Sequence, residues 1–114
     1  MEKNNISIIG GAGHVGFPLG LAFAETGMKI NLIDLNEKNN NLINSGKIPF
    51  KEEQAKKTLK RNLKKKRIIA SKDLSACKKS KYVIISIGTP INNHNLKPEI
   101  INFLKFFYSL KKYI

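Results

Sequence analysis

Gly11, Gly13 and Gly16 form a G-x-G-x-x-G pattern, Gly11-Ala12-Gly13-His14-Val15-Gly16, placed straight after the apolar run Ile6–Ile9 and straight before a helical segment. That context is what a dinucleotide needs. Gly11 is expected to take the tight turn out of the strand. Gly13 lets backbone approach a pyrophosphate with no side chain in the way, and Gly16 lets the helix lie close to the strand. The helix start then offers unpaired N–H groups and partial positive charge to the phosphates. Asp34, at the end of a second apolar run, follows Gly11 by 23 positions. About 20 is the usual spacing for the carboxylate that accepts from the adenosine ribose hydroxyls. FAD and S-adenosylmethionine sites use similar loops. A P-loop is excluded, because no Gly-Lys-Ser/Thr follows the glycines.

A carboxylate at Asp34 repels a 2′-phosphate, which favours NAD over NADP, although Lys38 lies close enough to soften the preference. A general base is conceivable at His14 from its residue type; at the start of a phosphate-facing helix it reads better as a wall of the cofactor loop. Thr89 and Pro90 end an apolar strand where open α/β sheets bind ligands, at the carboxyl edge; the bland reading is a strand-ending turn. Cys77 reads as a small, partly buried side chain, and His94 as an exposed residue of a polar turn.

The elements that must position these residues follow from the apolar pattern. Ile6–Ile9 is a buried parallel strand. His14 to Thr26 is a helix with Val15, Leu19, Ala22 and Phe23 at helical spacing, ended by Gly27. Lys29 to Leu35 is the second strand. Asn36 caps a short helix that ends near Ser45-Gly46, and Ile48-Pro49-Phe50 breaks the pattern. A long polar helix from Lys51 to about Lys66 has only Ala55, Leu59 and Leu63 as an apolar stripe. Arg67–Ser71 is a third strand. Ser71 or Asp73 caps a brief helix carrying Leu74 and Cys77. Tyr82–Ile87 is the fourth and most apolar strand. An amphipathic helix runs from Pro98 to the end. This order predicts an α/β fold, a Rossmann-type doubly wound parallel sheet that stops after its fourth strand and the helix behind it.

The 114 residues make one domain, 1–114. No apolar run reaches the ~18 residues of a membrane helix, and the start, Met1-Glu2-Lys3-Asn4-Asn5, lacks the apolar core of a signal peptide. A cytoplasmic location is expected, with no membrane partner. One cysteine leaves neither an internal disulfide nor a cysteine cluster for metal. The net charge of +13 is almost all lysine, in a chain also rich in asparagine and isoleucine, a bias that A/T-rich codons alone would produce. The densest basic stretch, Lys51–Arg67, interleaves no aromatics, so a solvated helix face is expected there rather than a nucleic-acid surface.

Three stretches together resemble one family. Ile8-Ile9-Gly10-Gly11-Ala12-Gly13-His14-Val15-Gly16-Phe17-Pro18-Leu19, the run Ile33-Asp34-Leu35-Asn36-Glu37, and Val83-Ile84-Ile85-Ser86-Ile87-Gly88-Thr89-Pro90 are similar, in that order, to the N-terminal NAD-binding domain of the UDP-glucose/GDP-mannose (nucleotide-sugar) 6-dehydrogenases. The doubled Gly10-Gly11 with His14, and the loop from Thr89 to Pro98, look more like the branch acting on UDP-N-acetylated sugars, such as UDP-N-acetylmannosamine dehydrogenase. The resemblance implies NAD as cofactor and a UDP-sugar substrate whose C6 alcohol is oxidised in two steps to the carboxylate, in full-length relatives that are homo-oligomeric. It implies that Gly88, Thr89 and Pro90 line the nicotinamide side. A basic residue often follows the family's aspartate by about five positions; here Asn39 stands there. The family's catalytic cysteine and its lysine, asparagine and aspartate helpers lie beyond the matched region, so Cys77 is not that cysteine. The central helical and substrate domains are expected to be absent from this chain, which is then not active by itself.

Two other functions compete with this one. A stand-alone nucleotide-binding or partner-binding module would use the same fold and present an apolar face between Pro98 and Ile114, with Phe103, Phe106, Phe107 and Tyr108 as candidates. A basic nucleic-acid binder would show affinity that falls steeply with salt.

Overall fold

The structure, a computed structural model, describes residues 5–51, 53–87 and 100–114. Four parallel strands, β1 (Asn5–Ile9), β2 (Lys29–Ile33), β3 (Ile68–Ser71) and β4 (Tyr82–Ile85), form a sheet in the order β3-β2-β1-β4. The chain winds outward from β1 to β3 and then returns to pair β4 on the other side of β1. All four strands end at the same edge, so the loops that follow β1 and β2 are brought side by side.

Apolar side chains sort to the two faces with the period of two that a strand imposes. On one face Ile6, Ile8, Ile30, Leu32, Ile68 and Ala70 pack beneath α1 (Gly16–Glu25), α2 (Glu37–Asn44) and α3 (Glu53–Lys64). Ile8, Phe17, Leu32, Ile43 and Leu59 are fully buried; each such side chain contributes roughly 1.5–3 kcal/mol relative to exposure. The expected stripe of α3 is the face that packs: Leu59 is buried, Ala55 and Leu63 lie against the core, and the lysines face water. On the other face Ile9, Ile33, Cys77 and Leu110 form a smaller core under a 3-10 turn (Leu74–Lys79) and α4 (Ile100–Lys111).

Element ends shift by one to three residues from the sequence expectation, each for a local reason. α1 begins at Gly16 rather than His14, because Gly13 N–H folds back to the Gly10 carbonyl at 3.1 Å and keeps His14 and Val15 in the turn. β2 stops at Ile33 because the Asp34 carboxylate accepts from Asn36 N–H and bends the chain away. α3 ends at Lys64, where Lys66 adopts φ 58° and Arg67 N–H bonds back to the Asn62 carbonyl. That is the six-to-one bond of a Schellman cap. β4 stops at Ile85, although Ser86 N–H still donates to the Ile9 carbonyl. The brief helix around Cys77 is 3-10 throughout, with Asp73 rather than Ser71 as its cap; its carboxylate accepts from the Ser75 N–H and hydroxyl, which lowers its pKa.

Asparagine does structural work on α2. Asn36, Asn40 and Asn44 recur every four residues and so lie on one helix face. Asn36 caps the helix by accepting from Asn39 N–H, and Asn40 donates to the Asp34 carbonyl. Asn44 donates to the Ala70 carbonyl at 2.7 Å and accepts from its N–H at 2.9 Å. β3 is an outer strand of the sheet, and Asn44 supplies its free edge with the pairing a further strand would give. Replacing Asn44 with Ala should cost about 2 kcal/mol, since the Ala70 N–H and carbonyl are left buried without partners. Urea denaturation of the two chains measures this directly.

Candidate dinucleotide site

The turn between β1 and α1 is built by exclusion of side chains. Gly10 has φ +86°, and a Cβ there would lie 2.0 Å from the Ser86 carbonyl oxygen. The left-handed residue of the turn is therefore Gly10, one position before Gly11, to which the sequence pattern assigns the tight turn. Gly11 and Gly10 both donate their N–H to the Ile33 carbonyl, at 3.1 and 2.8 Å, which ties the turn to the end of β2. A Cβ on Gly11 would meet Leu32 Cα at 2.7 Å, and one on Gly16 would meet the Gly10 oxygen at 2.3 Å.

Gly13 differs from these three. A Cβ there would approach only the Gly10 oxygen, at 3.3 Å, a tight contact but far short of the clashes at the other three. Packing demands glycine less strongly at this position than at the other three. The bare backbone here would let a group such as a pyrophosphate come close from outside. The start of α1 fits the same ligand. No side chain caps it and no acidic residue occupies its first turn, so the positive end of its dipole, with the N–H of Gly16 at its first residue, is open to an anion.

Asp34 stands beside this turn. One carboxylate oxygen accepts from Ala12 N–H at 3.1 Å and the other from Asn36 N–H at 3.0 Å. Asn40 holds the Asp34 carbonyl. The carboxylate is thus fixed by backbone on both sides and keeps acceptor capacity on each oxygen for a pair of ribose hydroxyls. Ala12 is buried, whereas His14 and Val15 are exposed at the mouth of the turn. The structure brings Gly11, Ala12, Gly13, His14, Val15, Gly16 and Asp34 together. Gly88, Thr89 and Pro90 lie outside the described residues, as does His94. The strand that leads to them ends against the turn, with Ser86 and Ile87 both beside Gly10.

Two residues of this region escape the fingerprint. Gly10 is missed because the pattern counts from Gly11; the doubled glycine was the available signal. Phe50, in the Ile48-Pro49-Phe50 break between α2 and α3, stacks on the His14 ring with centroids 4.4 Å apart and planes 21° apart. It also meets Phe17 edge-on at 5.7 Å. Nothing in the local pattern around Phe50 signals a partner so far away in sequence.

Cys77 is 2% exposed, more buried than expected. Burial pushes its thiol pKa up, offset in part by the Ser7 hydroxyl, with Asp73 pushing the same way as burial. It sits in the small core behind the sheet with Ile9, Ile33 and Leu110. No group of His, Cys, Asp and Glu suited to a metal occurs among the described residues, and no helix among them is long and apolar enough to cross a membrane.

Substitution of Gly16 by Ala should destabilise the fold by about 3 kcal/mol, as backbone must move to admit the methyl group. Gly13→Ala should leave the melting temperature within a few degrees of wild type, and thermal unfolding of both variants tests the contrast. Cys77 should resist alkylation at pH 8 in the folded chain and react readily in urea. Its raised pKa makes a stability contribution that is intact below the range of an unfolded thiol, about pH 8.5, and is lost as pH rises beyond it. Urea denaturation as a function of pH reads that loss.

Comparison with known proteins agrees with this geometry. Residues 4–114 match the NAD-binding domain of the UDP-glucose/GDP-mannose dehydrogenase family. UDP-glucose 6-dehydrogenase TuaD of Bacillus subtilis is 32% identical over 88 residues, which are 76% of this chain and 19% of that protein. Among solved structures, GDP-mannose dehydrogenase from Pseudomonas aeruginosa superposes with a TM-score of 0.82 at 24% identity, over 92% of this chain and 24% of that one. The UDP-D-ManNAc dehydrogenase of Pyrococcus horikoshii gives 0.83 at 22%, over 96% and 26%. The UDP-N-acetyl-mannosamine dehydrogenase Cap5O of Staphylococcus aureus gives 0.81 at 20%, over 97% and 26%. The chain spans about a fifth of the curated relative and about a quarter of each solved one. With NAD as its cofactor, this chain belongs to the UDP-glucose/GDP-mannose dehydrogenase family and corresponds to the N-terminal, NAD-binding part of its members.

Proposed function

We propose that residues 1–114 serve as the cofactor-holding part of a nucleotide-sugar dehydrogenase that oxidises the C6 alcohol of a UDP-sugar to the uronate. A UDP-N-acetylated hexosamine is the substrate favoured by the doubled Gly10-Gly11, His14 and the loop from Thr89 to Pro98. The observation that carries the reading is the pairing of the least crowded glycine of the turn, Gly13, with an uncapped helix and a backbone-fixed carboxylate, Asp34. NAD supplies the hydride acceptor when bound. The chain's own part is to hold it: Gly11 to Gly16 around the pyrophosphate, Asp34 on the adenosine ribose, and Gly88, Thr89 and Pro90 toward the nicotinamide. Asp34 leaves no room for a 2′-phosphate charge, so NAD is preferred over NADP. No residue of this chain is assigned to the oxidation itself, and the chain alone is not expected to turn over substrate. Central and substrate domains of the kind its relatives' greater length implies, a cytoplasmic setting and homo-oligomeric assembly belong to the same reading; nucleic acid and membrane do not.

A second reading, a nucleotide-dependent binding module without catalysis, draws on one observation. Leu104 and Tyr108 on α4, and Ile114 beyond its end, are exposed and border an apolar groove with Phe107 and Lys111. A chain that stays monomeric at high concentration and binds no apolar dye there argues against it.

Millimolar NAD should raise the melting temperature of the wild-type chain. Asp34→Ala should weaken NAD binding by about tenfold or more, because two or more charge-assisted hydrogen bonds are lost. Calorimetric titration with NAD and with NADP decides this; equal affinity for the two dinucleotides would contradict the role given to Asp34.

A further inference from the structure

Phe50 lies 34 positions beyond Gly16, yet its ring bridges the two ends of the segment that faces the phosphates. On one side it stacks on His14, the residue after Gly13. On the other it meets Phe17 edge-on, inside the first turn of α1. Phe17 is fully buried and cannot move without disturbing the core. Phe50 itself is half-buried and packed against that core. His14 is exposed, and no side chain caps the helix at Val15.

The contacts that hold the rest of the turn stop short of His14. Ala12 N–H is held by Asp34 and Gly13 N–H by the Gly10 carbonyl. Phe17 N–H is held by the Gly13 carbonyl at 3.0 Å. Between these anchors, His14, Val15 and Gly16 carry the N–H groups at the helix start.

We propose that Phe50 is a positioning residue for the cofactor: by stacking on His14 it fixes the backbone N–H groups of His14, Val15 and Gly16 in the orientation that receives the pyrophosphate. The Ile48–Phe50 segment then acts as a clamp on the turn and is more than a connection between α2 and α3. A face-to-face ring pair anchored edge-on to a buried third ring is a stiff arrangement. Stiffness at the donors lowers the ordering cost of binding. The inference rests on the reading of this turn as the NAD site.

The test is a double-mutant cycle on NAD affinity in the full chain, with Phe50→Leu, His14→Ala, their combination, and Phe50→Tyr. Leu keeps apolar bulk against the core while it removes the stack, so the fold is preserved. Each single variant should raise the Kd for NAD about fivefold, the size expected for loss of one aromatic pair. The double variant should be no weaker than the weaker single, and Phe50→Tyr should bind as wild type does. A purely structural Phe50 would lower the melting temperature of Phe50→Leu and leave the Kd unchanged, which overturns the proposal. Multiplicative effects in the double variant also overturn it, since Phe50 would then not act through His14. If the wild-type chain binds no NAD, the cofactor reading itself fails and this inference fails with it.

Discussion

Four backbone segments meet at the top of β1 with no room for side chains between them: the turn after β1, the body of β2 at Leu32, the chain just past β4 at Ser86, and the start of α1. A single methyl group at Gly10, Gly11 or Gly16 would intrude to between 2.0 and 2.7 Å of neighbouring backbone. Interiors packed this closely transmit such a change rather than absorb it. The rest of the site depends on this contact. It brings α1 in over β1 and β2, which places its N-terminus at the carboxyl edge of the sheet, and it presses the turn against the loop that carries Asp34.

Polar side chains finish what the glycines begin. Asp34 is a ligand candidate and also a brace, since it holds both the turn at Ala12 and the start of α2 at Asn36. Its own backbone is held by Asn40, one turn along from the Asn36 cap and one turn before Asn44, which closes the outer edge of β3. One face of a short, polar helix therefore fixes the ends of two strands and the backbone that carries the Asp34 carboxylate. The helix has little apolar surface of its own beyond Ile43, and hydrogen bonds to strand ends stand in for it.

Much of this was legible in the sequence. The strands, the helices and their order follow from runs of β-branched residues and from apolar spacing, and the fingerprint with Asp34 marks residues that the fold brings together. What was not legible depends on contacts distant in sequence. Gly10 is required both by its positive φ and by Ser86, just past β4, which leaves no space for a Cβ. The stack of Phe50 on His14 joins two loops separated by two helices and a strand. The asparagines of α2 read as compositional bias, because a side chain that bonds to a strand edge leaves no periodic apolar trace. Element ends drifted where a side chain, as at Asp34, or a left-handed residue, as at Lys66, stopped a pattern that local propensity would have continued.

The central claim is that the turn from Gly10 to Gly16, with Asp34, is where NAD is held. Backbone amide resonances of the full chain, followed during titration with NAD, test it most directly. The account predicts that the largest shifts fall on Ala12 to Gly16 and on Asp34 and Leu35, while amides at the opposite edge of the sheet, such as Lys29, Arg67 and Lys81, stay in place. Shifts centred on that opposite edge, or no shifts at saturating NAD, would contradict it.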